Sequence, residues 1–134
     1  MDKSRPNLLW IRIAGVIGAL FGLMTLREGG AVLFVDGAAR VAAGDYVPFV
    51  LWFNFLAGFA YVVAGLGLVF GRPWAGRIAL VIAVATLGVF VAFGAHIVGG
   101  GVFEMRTVVA MTLRSVVWCS IAALSWRILL RQRA

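Results

Sequence analysis

The chain has 134 residues, of which 63% are hydrophobic and 13% charged, and its mean hydropathy is +1.06. A soluble domain usually carries about 25% charged residues, so this chain lacks the polar surface to coat a water-soluble globule and needs hydrocarbon around most of its exterior. Its formal charge of +7 gathers in short segments beside apolar runs, the pattern of membrane-protein loops, and no nucleic-acid partner is expected.

A bilayer core about 30 Å thick is crossed by about 20 apolar residues of helix. The expected fold class is therefore all-α: one integral membrane domain over residues 1–134, a four-helix bundle. The first apolar stretch runs over 8–26. It exceeds the roughly 7 to 15 apolar residues of a secretory signal peptide and carries Arg12, so it is read as a retained helix. Ala14, Gly18 and Gly22 stand at spacings of four along it and offer a smooth stripe for close helix contact. Residues 27–46 follow as a longer connecting segment with room for a short interfacial helix.

The second stretch, 47–70, opens on Pro48, where a missing N–H at the first helical turn has no consequence. Ala60 with Ala64 is its small-residue pair. Gly71-Arg72-Pro73 closes it with a tight turn into the third stretch, 78–98, which carries Ala75, Ala79 and Ala83 and then Gly88 and Ala92. Gly99-Gly100-Gly101 breaks the chain again. The fourth stretch covers 108–126 inside a helix expected over 104–130. Its lone Cys119 has no partner for an internal disulfide and reads as a small hydrophobe.

Lysine and arginine distribution sets the expected orientation. Lys3, Arg5, Arg12, Arg72, Arg77, Arg127, Arg131 and Arg133 fall on one side of the four stretches. Opposite them are Arg27, Arg40 and Arg106, accompanied by Glu28, Asp36, Asp45 and Glu104. The positive-inside rule then puts both termini in the cytoplasm, in a bacterial inner (plasma) membrane. Trp10, Trp74 and Trp126 fall where interfacial anchors sit on that side, whereas Trp52 and Trp118 lie deeper.

Arg114 is the residue that most needs an explanation, because an unpaired arginine near the middle of a span costs about 2.5–3.5 kcal/mol on insertion scales. Each helical residue advances about 100°, which groups Thr107, Met111, Arg114, Trp118 and Ser125 on one face. Leu51, Asn54, Gly58, Tyr61 and Gly65 share a face of the second stretch, and Asn54 lies at nearly the depth of Arg114, within reach of a direct Asn–Arg hydrogen bond. His96 enters near the outer end of the third stretch. Glu104 and Arg106 follow the glycines, and Glu28 ends the first stretch on the same side.

These residues define an expected polar cavity in the outer half, centred on Arg114 and lined by Asn54, Tyr61, His96, Glu104, Arg106, Glu28, Met111 and Trp118. Such a cluster would tie helix ends together, hold a small anionic or quinone-like ligand, conduct ions or protons, or ligate a metal. For the metal the candidates are His96 and Glu104, helped by Met105 or Met111, but one histidine without an HxxxH or CxxC pair is a weak signal. No GxxxxGK[ST], HExxH or GxSxG motif is present, and no cofactor is specified. The expected role is a small ligand-binding, transport or accessory component with the lipid bilayer as its first partner and a homo-oligomer or membrane protein as a second. The alternatives are a membrane enzyme or quinone/redox-linked accessory subunit using His96, Glu104 and Arg114, and a purely structural scaffold.

Overall fold

A computed structural model of the chain describes residues 4–130, with side chains from Asn7 onward; Lys3, Arg131, Arg133 and the side chain of Arg5, counted in the charge asymmetry, lie outside them. Helix α1 spans Ser4–Phe34, α2 Ala38–Ala43, α3 Pro48–Val69, α4 Pro73–Val98 and α5 Met105–Ser125, which runs on through a wide π-helical turn, Trp126–Leu130. All but α2 are long and apolar enough to cross a membrane. The first helix does not stop where its apolar run ends near Leu26. It continues through Arg27-Glu28-Gly29-Gly30 to Phe34, because Gly29 packs on Phe55 of α3 and keeps the extension docked.

The exterior is the apolar side of this molecule. Leu9, Val16, Leu20, Phe59, Val84, Val91 and Val116 face outward, while Thr25, Asn54, Thr86, Arg114, Ser115 and Ser125 are buried. That inversion, together with the length and hydropathy of the helices, makes this a helical membrane-spanning protein. Trp10, Trp74 and Trp126 are exposed, as is Trp52; Trp118 is fully buried.

Prolines start α3 and α4 at their first turn, and glycines stop them. Beyond α3, Arg72 N–H donates to the Gly67 carbonyl (2.9 Å) and Gly71 N–H to Leu68 (3.0 Å), the Schellman pattern that requires a left-handed residue; Gly71 supplies it with φ +67°. The same pair of bonds closes α4, from Gly101 to His96 and from Gly100 to Ile97. There Gly100 takes φ +87°.

The tightest seam joins α1 to α3. A side chain at Gly15 would meet the Gly65 carbonyl at 2.5 Å, and one at Gly22 would meet the Gly58 carbonyl at 2.8 Å. Two glycines, two turns apart on each helix, thus bring antiparallel backbones into contact. This corrects the small-residue stripes expected from sequence: Gly22 is in the seam, but Gly18 faces Trp118 and the α3 half is Gly58 and Gly65. On α4, Ala75, Ala79 and Ala83 are buried, whereas Gly88 and Ala92 are exposed. The remaining neighbours are α3 with α4 and α4 with α5, so the helices form an arc whose ends, α1 and α5, touch only sparingly.

Gly65→Val is expected to destabilise the protein by at least about 2 kcal/mol through overpacking against backbone. Gly88→Ala, with nothing within 4 Å of the new methyl, is expected to be neutral or to stabilise by up to about 1 kcal/mol. Chemical unfolding in detergent followed by circular dichroism checks both.

Candidate functional site

Arg114 lies in the second half of the first three turns of α5 and turns inward, retaining only 9% of its surface exposed. Its Nη1 donates to Thr25 Oγ1 of α1 at 2.9 Å, and its guanidinium lies 5.2 Å from the centre of the Phe21 ring. The pairing is between a cation, a neutral hydroxyl and an aromatic face. No carboxylate forms an ion pair with Arg114 among the described residues, and its buried Nε has no hydrogen-bond partner among them.

Thr25 replaces the Asn54 partner expected from sequence. Asn54 is buried on α3, but its Oδ1 is unpartnered. Thr25 carried a signal in the sequence all the same, because Gly18, Gly22 and Thr25 fall on one helix face, and a hydroxyl at the end of a smooth stripe is positioned to meet a neighbour. Below Arg114, the Tyr61 ring stacks on Trp118 with centroids 4.7 Å apart and planes at 29°. The Tyr61 hydroxyl faces Arg114 and Thr86, the latter a buried α4 residue on the same face as Ala75, Ala79 and Ala83. Tyr61 Oη, Thr86 Oγ1 and Trp118 Nε1 have no hydrogen-bond partner at bonding geometry among the described residues.

Above Arg114 the bundle opens into a cavity of about 680 Å³ between α1, α3 and α5, with α2 across it. This falls within the roughly 300–1,000 Å³ of small-molecule sites. Arg114, Thr25 and Asn54 supply polar groups at its inner end; Val32, Val47, Val50, Leu51 and Phe55 supply apolar wall; Arg27, Glu28, Glu104 and Arg106 supply charge. Arg27, Arg106 and Arg114 outnumber Glu28 and Glu104, so an anion is favoured over a cation at this site.

The residues named from sequence therefore divide. Arg114, Asn54, Glu28, Glu104 and Arg106 line the cavity, and Thr107 lines it too; Tyr61, Met111, Trp118 and His96 do not. Tyr61, Met111 and Trp118 are fully buried in the packed interior. The His96 Nε2 lies 3.0 Å from the Val102 carbonyl, its ring stands edge-on to Phe49, and it fills the space a side chain at Gly101 would need. It braces the glycine turn. Among the described residues no three His, Cys, Asp or Glu side chains come together in a metal-binding set.

Helix α2 has no buried residue and is held by polar ties. Arg40 donates from Nε to the Val32 carbonyl (2.9 Å) and from Nη2 to that of Leu33 (3.0 Å), which caps the C-terminal carbonyls of α1 with a cation. Asp45 N–H donates to Glu104 Oε1 at 2.8 Å, and Arg106 Nη1 reaches the Ala42 carbonyl at 3.5 Å. Gly44, at φ +63°, leaves the space that the Glu104 carboxylate occupies. Both acidic and basic residues at the start of α5 thus fasten the segment over the cavity.

Comparison with protein families, curated proteins and solved structures finds no match to this chain.

Thr25→Val removes the one hydrogen bond to a buried cation and is expected to lower stability by about 1.5–3 kcal/mol. Tyr61→Phe deletes a hydroxyl that has no bonded partner and is expected to change stability by less than about 0.5 kcal/mol. Unfolding of the two variants side by side in one detergent measures the contrast.

Proposed function

We propose that this protein is a ligand-binding component of the bacterial inner membrane, acting in transport or as an accessory to it, and that its cavity receives a small anionic ligand on Arg114. Both termini lie in the cytoplasm in this reading, and the cavity faces outward. The observation that carries it is the buried guanidinium of Arg114 at the inner end of an open cavity, bonded to a threonine and to no carboxylate. A stability role alone would favour a permanent counter-ion there, since a buried charge is strongly disfavoured without one. Arginine's fork geometry, by contrast, matches a carboxylate or phosphate that comes and goes.

The charge distribution supports the orientation. Arg72 and Arg77 bracket the start of α4 at the end opposite the cavity, where Leu8 of α1 also packs near Gly71. In a Cys119→Ser background, Asp45→Cys in intact cells is expected to react with a membrane-impermeant maleimide, and Arg72→Cys is expected to react only after the membrane is opened. The reverse pattern would invert the orientation.

Ligand binding is read from thermal stability in detergent at constant ionic strength. Phosphate or a short dicarboxylate at about 100 times its dissociation constant stabilises the native state by about 2.7 kcal/mol. That gain is expected for the native protein, to be absent in Arg114→Gln, and to be matched by neither chloride nor a neutral sugar. Equal responses from both proteins would refute an anion site at Arg114.

A further inference from the structure

Three observations bear on what kind of anion the cavity takes. The first is the wall: one buried guanidinium and one amide sit at the inner end of a cavity whose flank is Val32, Val47, Val50, Leu51 and Phe55. A small hydrated anion such as phosphate leaves that flank unused, whereas a molecule with a charged head and an apolar portion covers it. The second is the seam. The arc of helices nearly fails to close between α1 and α5, both of which line the cavity, and among the described residues the Arg114–Thr25 bond is the one side-chain hydrogen bond across that seam. A gap of this kind faces hydrocarbon. The third is the cover: α2 and its ties to Glu104 and Arg106 lie across the aqueous end, so the water route is strapped and the side route is not.

We infer that the ligand is a membrane amphiphile with a single anionic phosphate head, a glycerophospholipid in chemistry, which enters from the bilayer between α1 and α5, sets its phosphate on Arg114 and lays the adjoining chain against Val50, Leu51 and Phe55. The inference rests on the reading of Arg114 as an anion site and adds the ligand's class and route. Arg106 and Arg27 provide further cationic groups for the head. The unpartnered Oδ1 of Asn54 accepts from a hydroxyl or ammonium donor on the head, so a phosphodiester bearing such a donor is the best fit.

The test is native mass spectrometry of the full chain in a neutral detergent, titrated separately with phosphatidylglycerol, with phosphatidylcholine of the same chains, and with inorganic phosphate. One phosphatidylglycerol adduct is expected to form about tenfold more tightly than the phosphatidylcholine adduct, and to weaken by about tenfold or more in Arg114→Gln, in line with loss of a charge-assisted hydrogen bond. Because Arg114→Gln alters a buried residue, Ala110→Phe provides an independent variant: Ala110 lines the cavity and is half-buried, and the added ring fills the chain's place while leaving the guanidinium intact. It is expected to abolish the lipid adduct and to keep the stabilisation by inorganic phosphate.

Binding of inorganic phosphate that depends on Arg114, with no preferred lipid adduct, would overturn the amphiphile and leave the anion site standing. Equal binding of the two lipids would overturn the headgroup assignment, as would adducts indifferent to both substitutions, which mark lipid bound around the outside. Failure of phosphate and lipids alike would remove both readings.

Discussion

A guanidinium in the middle of an apolar bundle has to be held, and the interaction that holds it here is the contact of Arg114 with Thr25 and Phe21 on the first helix. Hydrocarbon gives a charge almost nothing, so the arginine turns toward the interior, where a hydroxyl accepts one N–H and an aromatic face accepts part of the charge. Neither partner is anionic. The result is a cation satisfied well enough to be tolerated in the fold and incompletely enough to attract an anion, which is the electrostatic basis of the cavity above it.

The rest of the architecture serves to bring α1 to that arginine. Helix–helix association in lipid draws little from the hydrophobic effect, and the glycines at 15, 22, 58 and 65 compensate by letting α1 and α3 touch backbone to backbone. With α1 fixed on α3, and α3, α4 and α5 joined by two short glycine turns, Thr25 meets Arg114 across the ends of the arc. The cavity exists because those ends meet at a point and not along a line. Its cover is fastened by groups of opposite sign from the start of α5, so the cavity's inner end, wall and cover all depend on the same helix.

Much of this was legible in the sequence, and for a physical reason: a run of about twenty apolar residues has few structures open to it other than a membrane helix, so the four long helices and their turns were fixed by length and punctuation. Arg114, Asn54, Glu28, Glu104 and Arg106 were likewise identifiable as polar groups that lipid would push inward. Partners were harder to read. Whether Arg114 meets Asn54 or Thr25 depends on which helices are neighbours and on the rotation of each, and helix periodicity gives the face of one helix without giving the face opposite it. His96 illustrates the same limit: its place near a helix end suggested a ligand, but the glycine turn folds back onto its ring and engages it locally. The extension of α1 to Phe34 was hidden because Arg27-Glu28-Gly29-Gly30 resembles a terminus until Phe55 is found beneath it.

The π-helical turn at Trp126–Leu130 has its own effect on shape. A π turn takes an extra residue per revolution, so the last residues of the chain's final helix are rotated out of phase with those before them. Ser125 and Leu129 both point inward, and Leu130 packs over Gly76 of the neighbouring helix, while Trp126 and Arg127 between them face out. A single phase slip thereby lets one helix end on an apolar plug and on an aromatic and cationic collar at the same level. Deleting one residue from that turn would rewind it to ordinary helix and swing the collar into the bundle, which makes the length of this short segment, more than its composition, the property that the fold can least easily change.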